Sequence, residues 1–402
     1  MLPVLGTPRL LSYDVVIIGG AIIGSSVAWW LARNPDFDGS ILVLDRDMTY
    51  TNAATSHTNS CMRQQFSNEL NVRISQFGAD FVREFRHYMG DDPEVPELAV
   101  HHFGYMYLAD TEAFANTLRA NQQVQASFGA GTQVMTPVEI AAAYPFYNVD
   151  DVLLGSHNVV DEGYFDAGTM FDWWRRQARQ LGAEYISSEV VGVERNGDRV
   201  VGVALASGAT IACGTVVNAT GTRAAVTAAM AGIEVPIDAR KRFTFVFDCA
   251  ESLGMAVPLT IDPSGVHVRS EGDAFMTGCP PDDDPAVDFD DFAMDHDIFE
   301  DKVWPALAHR IPAFERIKVT NRWAGHYAHN RLDQNVVVGP HDQVSNFIFT
   351  SGFSGHGLQQ SPAIGRGAAE WITYGEFRTL DLSPLGYERV VTKEPFVETA
   401  II

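Results

Sequence analysis

An apolar run, Asp14-Val15-Val16-Ile17-Ile18, leads into glycines at 19, 20 and 24, and a second apolar run, Ile41-Leu42-Val43-Leu44, ends at Asp45, 21 residues beyond Gly24. Short unbroken runs of β-branched residues suit strands buried on both faces, as in a parallel sheet. The glycines turn the chain straight into a helix predicted over residues 23–33, and Asn34-Pro35 stops it. Strand, glycine turn, helix and strand in this order constrain the start of the chain to a βαβ unit. In such a unit, free backbone N–H groups and the positive helix end face a pyrophosphate. An acid closing the second strand accepts hydrogen bonds from a ribose, and Asp45 stands in that place. The usual G-x-G-x-x-G pattern departs at Ala21. Its methyl group replaces the glycine that lets the backbone approach the phosphates closely, so the ligand must sit slightly further out.

The other properties of the chain narrow the class. The 402 residues, 46% hydrophobic and 20% charged, have the composition of a soluble globular protein of two or three domain-sized units. A net charge of −23 repels nucleic acid and anionic lipid and argues against both as partners. Cys61, Cys213, Cys249 and Cys279 are scattered, which argues against a zinc knot, a redox dithiol or a disulfide framework. Reduced thiols in a cytoplasmic protein are the expectation. No run approaches the roughly 18 apolar residues of a membrane span, and residues 1–12 are too short to hold a signal peptide.

Further along, Leu70, Ile74, Phe77, Phe81 and Phe85 fall at helical spacing between Asn68 and Gly90. Residues 91–150 are mixed, with a strand predicted at 104–108. Asp166 suits an N-cap for a helix carrying Met170, Trp173, Trp174, Ala178 and Leu181, and its tryptophans suit the core. From Glu189 the period becomes two, and Asn196-Gly197-Asp198 marks a hairpin turn. Residues 215–221 read as a strand ending in small residues, and several strands follow between Pro236 and Gly278. Residues 282–301 carry ten acidic side chains without EF-hand spacing, and read as a solvated surface segment rather than a metal site. A strand at 346–350, the turn Ser351-Gly352-Phe353-Ser354-Gly355-His356-Gly357 and a helix over 358–372 close the pattern.

These pieces, in this order, resemble the D-amino acid oxidase superfamily of FAD-dependent enzymes, in particular its glycine oxidase and sarcosine oxidase branch. Gly19, Gly20, Ala21, Ile22, Ile23 and Gly24 resemble the family's first FAD fingerprint, with Asp45 and Arg46 at the dinucleotide end. Ser56, His57, Thr58 and Asn59 resemble the segment over the flavin and pyrophosphate. Ala219, Thr220 and Gly221 resemble the strand end passing the cofactor, and the resemblance adds Val191 and Gly325 to the set. Gly352, Phe353, Ser354, Gly355, His356, Gly357, Leu358 and Gln359 resemble the late motif that feeds a helix beneath the flavin ring. Arg240-Lys241-Arg242 and Leu358-Gln359-Gln360 also resemble a subgroup containing an assembly flavoprotein.

The resemblance implies a discontinuous Rossmann-like FAD-binding domain over 1–90, 151–225 and 321–402. A mixed α+β substrate domain over 91–150 and 226–320 would complete an α/β fold of the glutathione-reductase type. It implies hydride transfer from the carbon beside an amine to flavin N5, followed by hydrolysis of the imine. Such chemistry calls for a positive dipole near the ring and for a carboxylate anchor. Arg63 is the first candidate anchor, with Arg242 and Arg269 as alternatives. His267 falls where sarcosine-type relatives place a pocket tyrosine, and His356 belongs to the late motif. No cysteine occurs in 323–327, where some relatives attach FAD, so noncovalent FAD is expected. Met276 and Gln359 stand where relatives carry lysines, so the electron acceptor is either oxygen, reacting slowly, or a quinone or carrier protein. A small amino acid or amine is the expected substrate. The competing reading is a flavoprotein with an electron-relay or assembly role and no free amine substrate.

Overall fold

The computed structural model describes residues 6–399. Its first sheet is built outward from the strand Ser12–Ile18, which pairs in parallel with Ile41–Asp45 on one side and Thr210–Asn218 on the other. Glu184–Ser187 extends the sheet in parallel beyond Ile41–Asp45. On the far side, the first half of Thr210–Asn218 pairs with the hairpin strand Arg199–Leu205. Its second half pairs in parallel with Phe347–Ser351. The strand read from residue 215 onward thus begins earlier, at Thr210. Helices Ile22–Arg33, Ala167–Gln180 and Gly357–Tyr374 pack against this sheet.

The helix Ile22–Arg33 is fixed from two directions. Ser26 Oγ donates to the Ser361 carbonyl at 2.8 Å on the Gly357–Tyr374 helix. Trp29 stacks on Trp174 with ring centroids 6.1 Å apart. Trp174 is fully buried and Trp173 partly so, and Asp166 caps their helix by accepting from Thr169 N at 3.0 Å. The helical pattern after Asn68 also forms, but in two pieces. Asn68 caps Glu69–Arg83, Glu84 breaks the helix at φ −98° and ψ 24°, and a short Phe85–Tyr88 turn follows.

The second sheet runs in the order Ile317–Asn330, Ile237–Cys249, Ala274–Cys279, His267–Glu271, Leu259–Ile261, Tyr105–Ala109, Leu154–Asn158, Gln133–Met135. It is mixed, because Leu259–Ile261 and Tyr105–Ala109 are parallel and their neighbours antiparallel. Leu154–Asn158 and Ile317–Asn330 belong to this sheet, so it reaches beyond residues 91–150 and 226–320 on both sides. A small three-stranded sheet, Cys61–Met62 with Gly163–Phe165 and Val100–His101, stands beside the cavity that the two large sheets enclose. No described helix is long and apolar enough to cross a membrane.

Candidate active site

The cavity occupies about 610 Å³. At one end, Gly19 adopts φ +97°, and a Cβ there would lie 2.4 Å from the Ala219 carbonyl oxygen. A Cβ on Gly24 would lie 1.8 Å from the Gly19 carbonyl oxygen. Only glycine permits that approach of helix to strand. The helix beyond has no side-chain cap at Ala21 and no acid in its first turn. Asp45 accepts from Gly20 N at 2.7 Å and from Asp47 N at 2.9 Å. Burial pushes its carboxyl above the usual range, against the pull of those two N–H groups.

The late motif shapes the opposite end. Gly352, Ser354 and Gly355 all have positive φ, and a Cβ on Gly355 would lie 2.5 Å from the Tyr327 ring. Ser354 Oγ accepts from Asn330 N at 3.0 Å, tying the turn to the long strand of the second sheet. The helix Gly357–Tyr374 then begins at His356 with no side-chain cap and no acid in its first turn. Two uncapped helix N-termini therefore open onto one cavity, each carrying about half a positive charge. A cradle with glycines where no Cβ fits, a partly buried acid at one end and a positive dipole at both fits an elongated dinucleotide.

Between these ends the second sheet forms a roof. Arg63 is 1% exposed. Its guanidinium donates to the Gln65 carbonyl and, at 2.8 Å, to His356 Nε2, and it lies over the Phe66 ring at 4.0 Å. Gln359 Oε1 accepts from Arg63 N at 2.7 Å. Burial, with Arg63 adding, depresses His356 to about 3. His356 is thus a neutral acceptor at Nε2, and its ring proton is assigned to Nδ1. His267 is depressed to about 4 by burial and by Arg269 and Arg242, and lies 2.9 Å from the Asn59 amide nitrogen. Neither imidazole carries a positive charge at neutral pH.

Arg242 also reaches the cavity wall, but Asp284 holds it with two bonds, at 2.6 and 3.1 Å, and it lies over Tyr327 at 4.7 Å. Its charge is already met. Arg269 is not in the wall. It donates to Glu271 and to the Asn59 carbonyl, and so supports the segment carrying Asn59. Met276 packs behind Arg269 and does not face the cavity.

The wall includes Gly19, Ala21, Ile22, Ile23, Asp45, Arg46, His57, Thr58, Asn59, Ala219, Thr220, Gly221 and Gly325, and the run 353–359. Gly20, Gly24, Ser56 and Gly352 shape it from behind; Ser56 Oγ donates to the Tyr50 carbonyl at 2.7 Å. Val191 lies outside the wall. It falls at a bulge in the hairpin with its side chain 52% exposed, and Glu189 reaches the cavity instead.

The acidic segment is not simply solvated. Asp290 pairs with Arg46 and Arg223, each at 3.0 Å, and Asp291 pairs with Lys241 at 2.7 Å. Phe292 is stacked between His57 and His326. These contacts bind the segment to both sides of the cavity rim. Tyr105, Thr244 and Tyr327 in the wall, and Glu162 behind it, carry no local sequence signal, since only sheet pairing brings them here.

Fold and cavity together are those of an FAD-dependent oxidoreductase. The chain belongs to the DAO family of FAD-dependent oxidoreductases, whose model matches residues 14–371. It is 36% identical over 423 residues to FAD-dependent oxidoreductase domain-containing protein 1 of Xenopus laevis, covering 97% of this chain and 85% of that protein. It is 25% identical to the mitochondrial sarcosine dehydrogenase of Mus musculus, covering 90% of this chain but 40% of that longer protein. Among solved structures, L-proline dehydrogenase from P. horikoshii superposes with a TM-score of 0.82 at 24% identity, covering 96% and 99% of the two chains. The cofactor of the family is FAD.

Proposed function

We propose that the protein oxidises a secondary amino acid, an N-substituted glycine or a cyclic imino acid, at the carbon beside its nitrogen. FAD, when bound, would supply the chemistry as an acceptor of two electrons in the form of a hydride. The observation that carries this reading is Arg63, a guanidinium buried in the cavity wall between the roof and the uncapped start of the Gly357–Tyr374 helix. A bidentate guanidinium fixes a carboxylate in orientation as well as position. His356 and the Gln65 carbonyl hold that guanidinium in place. Tyr105, Leu259, Phe243 and Tyr327 line the same space. Their apolar surroundings favour the neutral amine, the form that can release hydride. Gly19, Gly24 and Asp45 would hold the dinucleotide, and the N–H groups that follow His356 would face the ring. Sarcosine dehydrogenase among the relatives and L-proline dehydrogenase among the structures support the substrate class.

No lysine lines the cavity among the described residues; the nearest in sequence to its wall, Lys241, is paired with Asp291. Electrons would then leave to a quinone or carrier protein faster than to oxygen. The test is an anaerobic panel of sarcosine, L-proline, iminodiacetate, glycine and dimethylamine, read as bleaching of flavin absorbance. Secondary amino acids should bleach the flavin, and Arg63→Gln should raise the half-saturating concentration at least 100-fold. Bleaching by dimethylamine as readily as by sarcosine would overturn the carboxylate anchor. No bleaching by any amine would favour the electron-relay reading.

A further inference from the structure

Glu162 is a wholly buried carboxylate outside the cavity wall, and the chemistry above does not use it. Its Oε1 accepts from Gln64 N at 2.7 Å and from Asn158 Nδ2 at 2.9 Å. Its Oε2 accepts from Gln65 Nε2 at 2.9 Å. Ser156 donates to Gln65 Oε1 at 2.7 Å and completes the web. Gln64 and Gln65 directly follow Arg63, and the Gln65 carbonyl is one of the acceptors that aims the Arg63 guanidinium. Glu162 therefore clamps the two residues that follow the anchor, and through Gln65 one of the two acceptors that orient it.

We propose that Glu162 is a proton-linked positioning residue: it aligns Arg63 through the 64–65 segment, and it takes up a proton from solvent when an anionic ligand docks at Arg63. This rests on the reading of Arg63 as the carboxylate anchor. Burial drives the Glu162 carboxyl up to about 7, while its three donors and the Arg63 charge pull it down. A ligand carboxylate beside Arg63 adds a second negative charge to the same enclosed space and opposes ionisation further. Among the described residues Oε2 has one donor, so an acceptor position remains there for the proton.

The other ionisable groups around Glu162 are each held by their own surroundings. Tyr105 and Tyr107, on the neighbouring strand, are raised by burial and stay protonated. Asp161, beside it in the chain, is paired with Arg83 from the Glu69–Arg83 helix. His356, which reaches it only through Arg63, stays neutral. Glu398, whose charge reaches Tyr107, is held by Ser67 N and the Asn68 amide, each at 2.8 Å.

The sign of the linkage follows. Glu162 is protonated more readily with an anion bound than without, so binding is tightest at low pH. It weakens as pH rises through about 7, by up to tenfold per pH unit, until the bound form also loses its proton. The experiment uses the FAD-loaded protein and two probes, 2-furoate and its neutral isostere 2-furamide. Dissociation constants come from the perturbed flavin spectrum between pH 6 and 9. Proton uptake comes from calorimetry in two buffers of different ionisation enthalpy. Furoate should bind with uptake approaching one proton above pH 7, and furamide with none. Glu162→Gln should flatten the furoate profile to within twofold and abolish the uptake, whereas a merely structural defect would weaken binding equally at every pH. Asn158→Ala removes one donor from the carboxylate and should move the onset of weakening to higher pH. Furoate binding without uptake, or an unchanged slope in Glu162→Gln, would overturn the proposal. Furoate binding no better than furamide would overturn the Arg63 anchor, and this inference with it.

Discussion

Gly24→Ala tests the approach of helix to strand on which the dinucleotide end depends. The new Cβ would stand 1.8 Å from the Gly19 carbonyl oxygen and 3.1 Å from Ile17 Cγ2. A comfortable carbon–oxygen contact is about 3.3 Å, so the gap must open by about 1.5 Å. The Gly19 turn cannot yield, because Gly19 N donates to the Leu44 carbonyl at 2.8 Å and Ala219 N to the Ile18 carbonyl at 2.9 Å. Nor can the helix slide away. Its other side is closed against the Gly357–Tyr374 helix, where a Cβ on Gly365 would lie 2.0 Å from Ser26 Oγ. Overpacking of this kind costs about 1–3 kcal/mol of stability. Displacing the helix start also breaks at least one N–H bond to a charged phosphate, worth about 1.5–3 kcal/mol, or about 10- to 150-fold in FAD affinity. The assay is flavin occupancy after purification, FAD titration of flavin-free protein and the urea midpoint. Gly20→Ala is the control. Its Cβ would meet the Tyr50 hydroxyl and Val43 Cγ1 at 3.0 Å, side-chain atoms that can shift, and it should lose less than about 1 kcal/mol. Wild-type FAD affinity in Gly24→Ala, or equal damage in Gly20→Ala, would refute the reasoning.

Trp174→Ala removes a fully buried indole stacked on Trp29 and should cost about 3–5 kcal/mol in urea denaturation while the flavin spectrum is retained. Asp284→Asn breaks the two-bond pair with Arg242, whose side chains are 15% and 22% exposed, and should lower stability by about 1–3 kcal/mol in thermal melts. His267 and His356 ionise in the unfolded chain below pH 6.5 but stay neutral in the folded one down to about 4 and about 3, so each removes stability as pH falls below 6.5. Glu162 acts oppositely: raised from 4.5 to about 7, its contribution is full below 4.5 and is lost as pH rises through 7. Urea midpoints between pH 4.5 and 6.5 should fall with acid, by less in His356→Gln and by more in Glu162→Gln.

The first βαβ unit was readable because its signals are local. β-Branched runs, glycines at fixed spacing and an acid at a strand end each act within about thirty residues. The late turn and its helix were readable for the same reason. The long helix over 112–127 was not read, because its N-cap, Thr111, opens a run of polar and alanine residues whose buried positions are only Ala115, Leu118, Asn121 and Gln125. The strand Ile317–Asn330 was hidden because its early residues lie at a sheet edge and alternate weakly, with Lys318, Thr320, Asn321 and Arg322 exposed. Val191 was placed at the cofactor by resemblance, yet a bulge between Val190 and Gly192 turns it outward. Arg63 could be named from its neighbourhood, but Asp284, which holds Arg242, lies 42 residues beyond Arg242 in an acidic run. Choosing between two arginines required knowing what each one touches.

That choice also resolves an apparent conflict between the charge of the chain and its cofactor. A net charge of −23 opposes an anionic dinucleotide carrying a carboxylate substrate beside it. Screening confines each exposed charge to about 8–10 Å at physiological ionic strength, so net charge governs approach rather than occupancy. Within the cavity, Arg46, Arg63, Arg223 and Arg242 stand in the wall with two uncapped helix N-termini. The nearest acids of the surface segment are spent on some of these cations, Asp284 on Arg242 and Asp290 on Arg46 and Arg223. Those pairs bind the segment to the rim and leave the positive helix ends facing inward. The acidity that makes the surface repel polyanions thus helps to close a site that holds a small one.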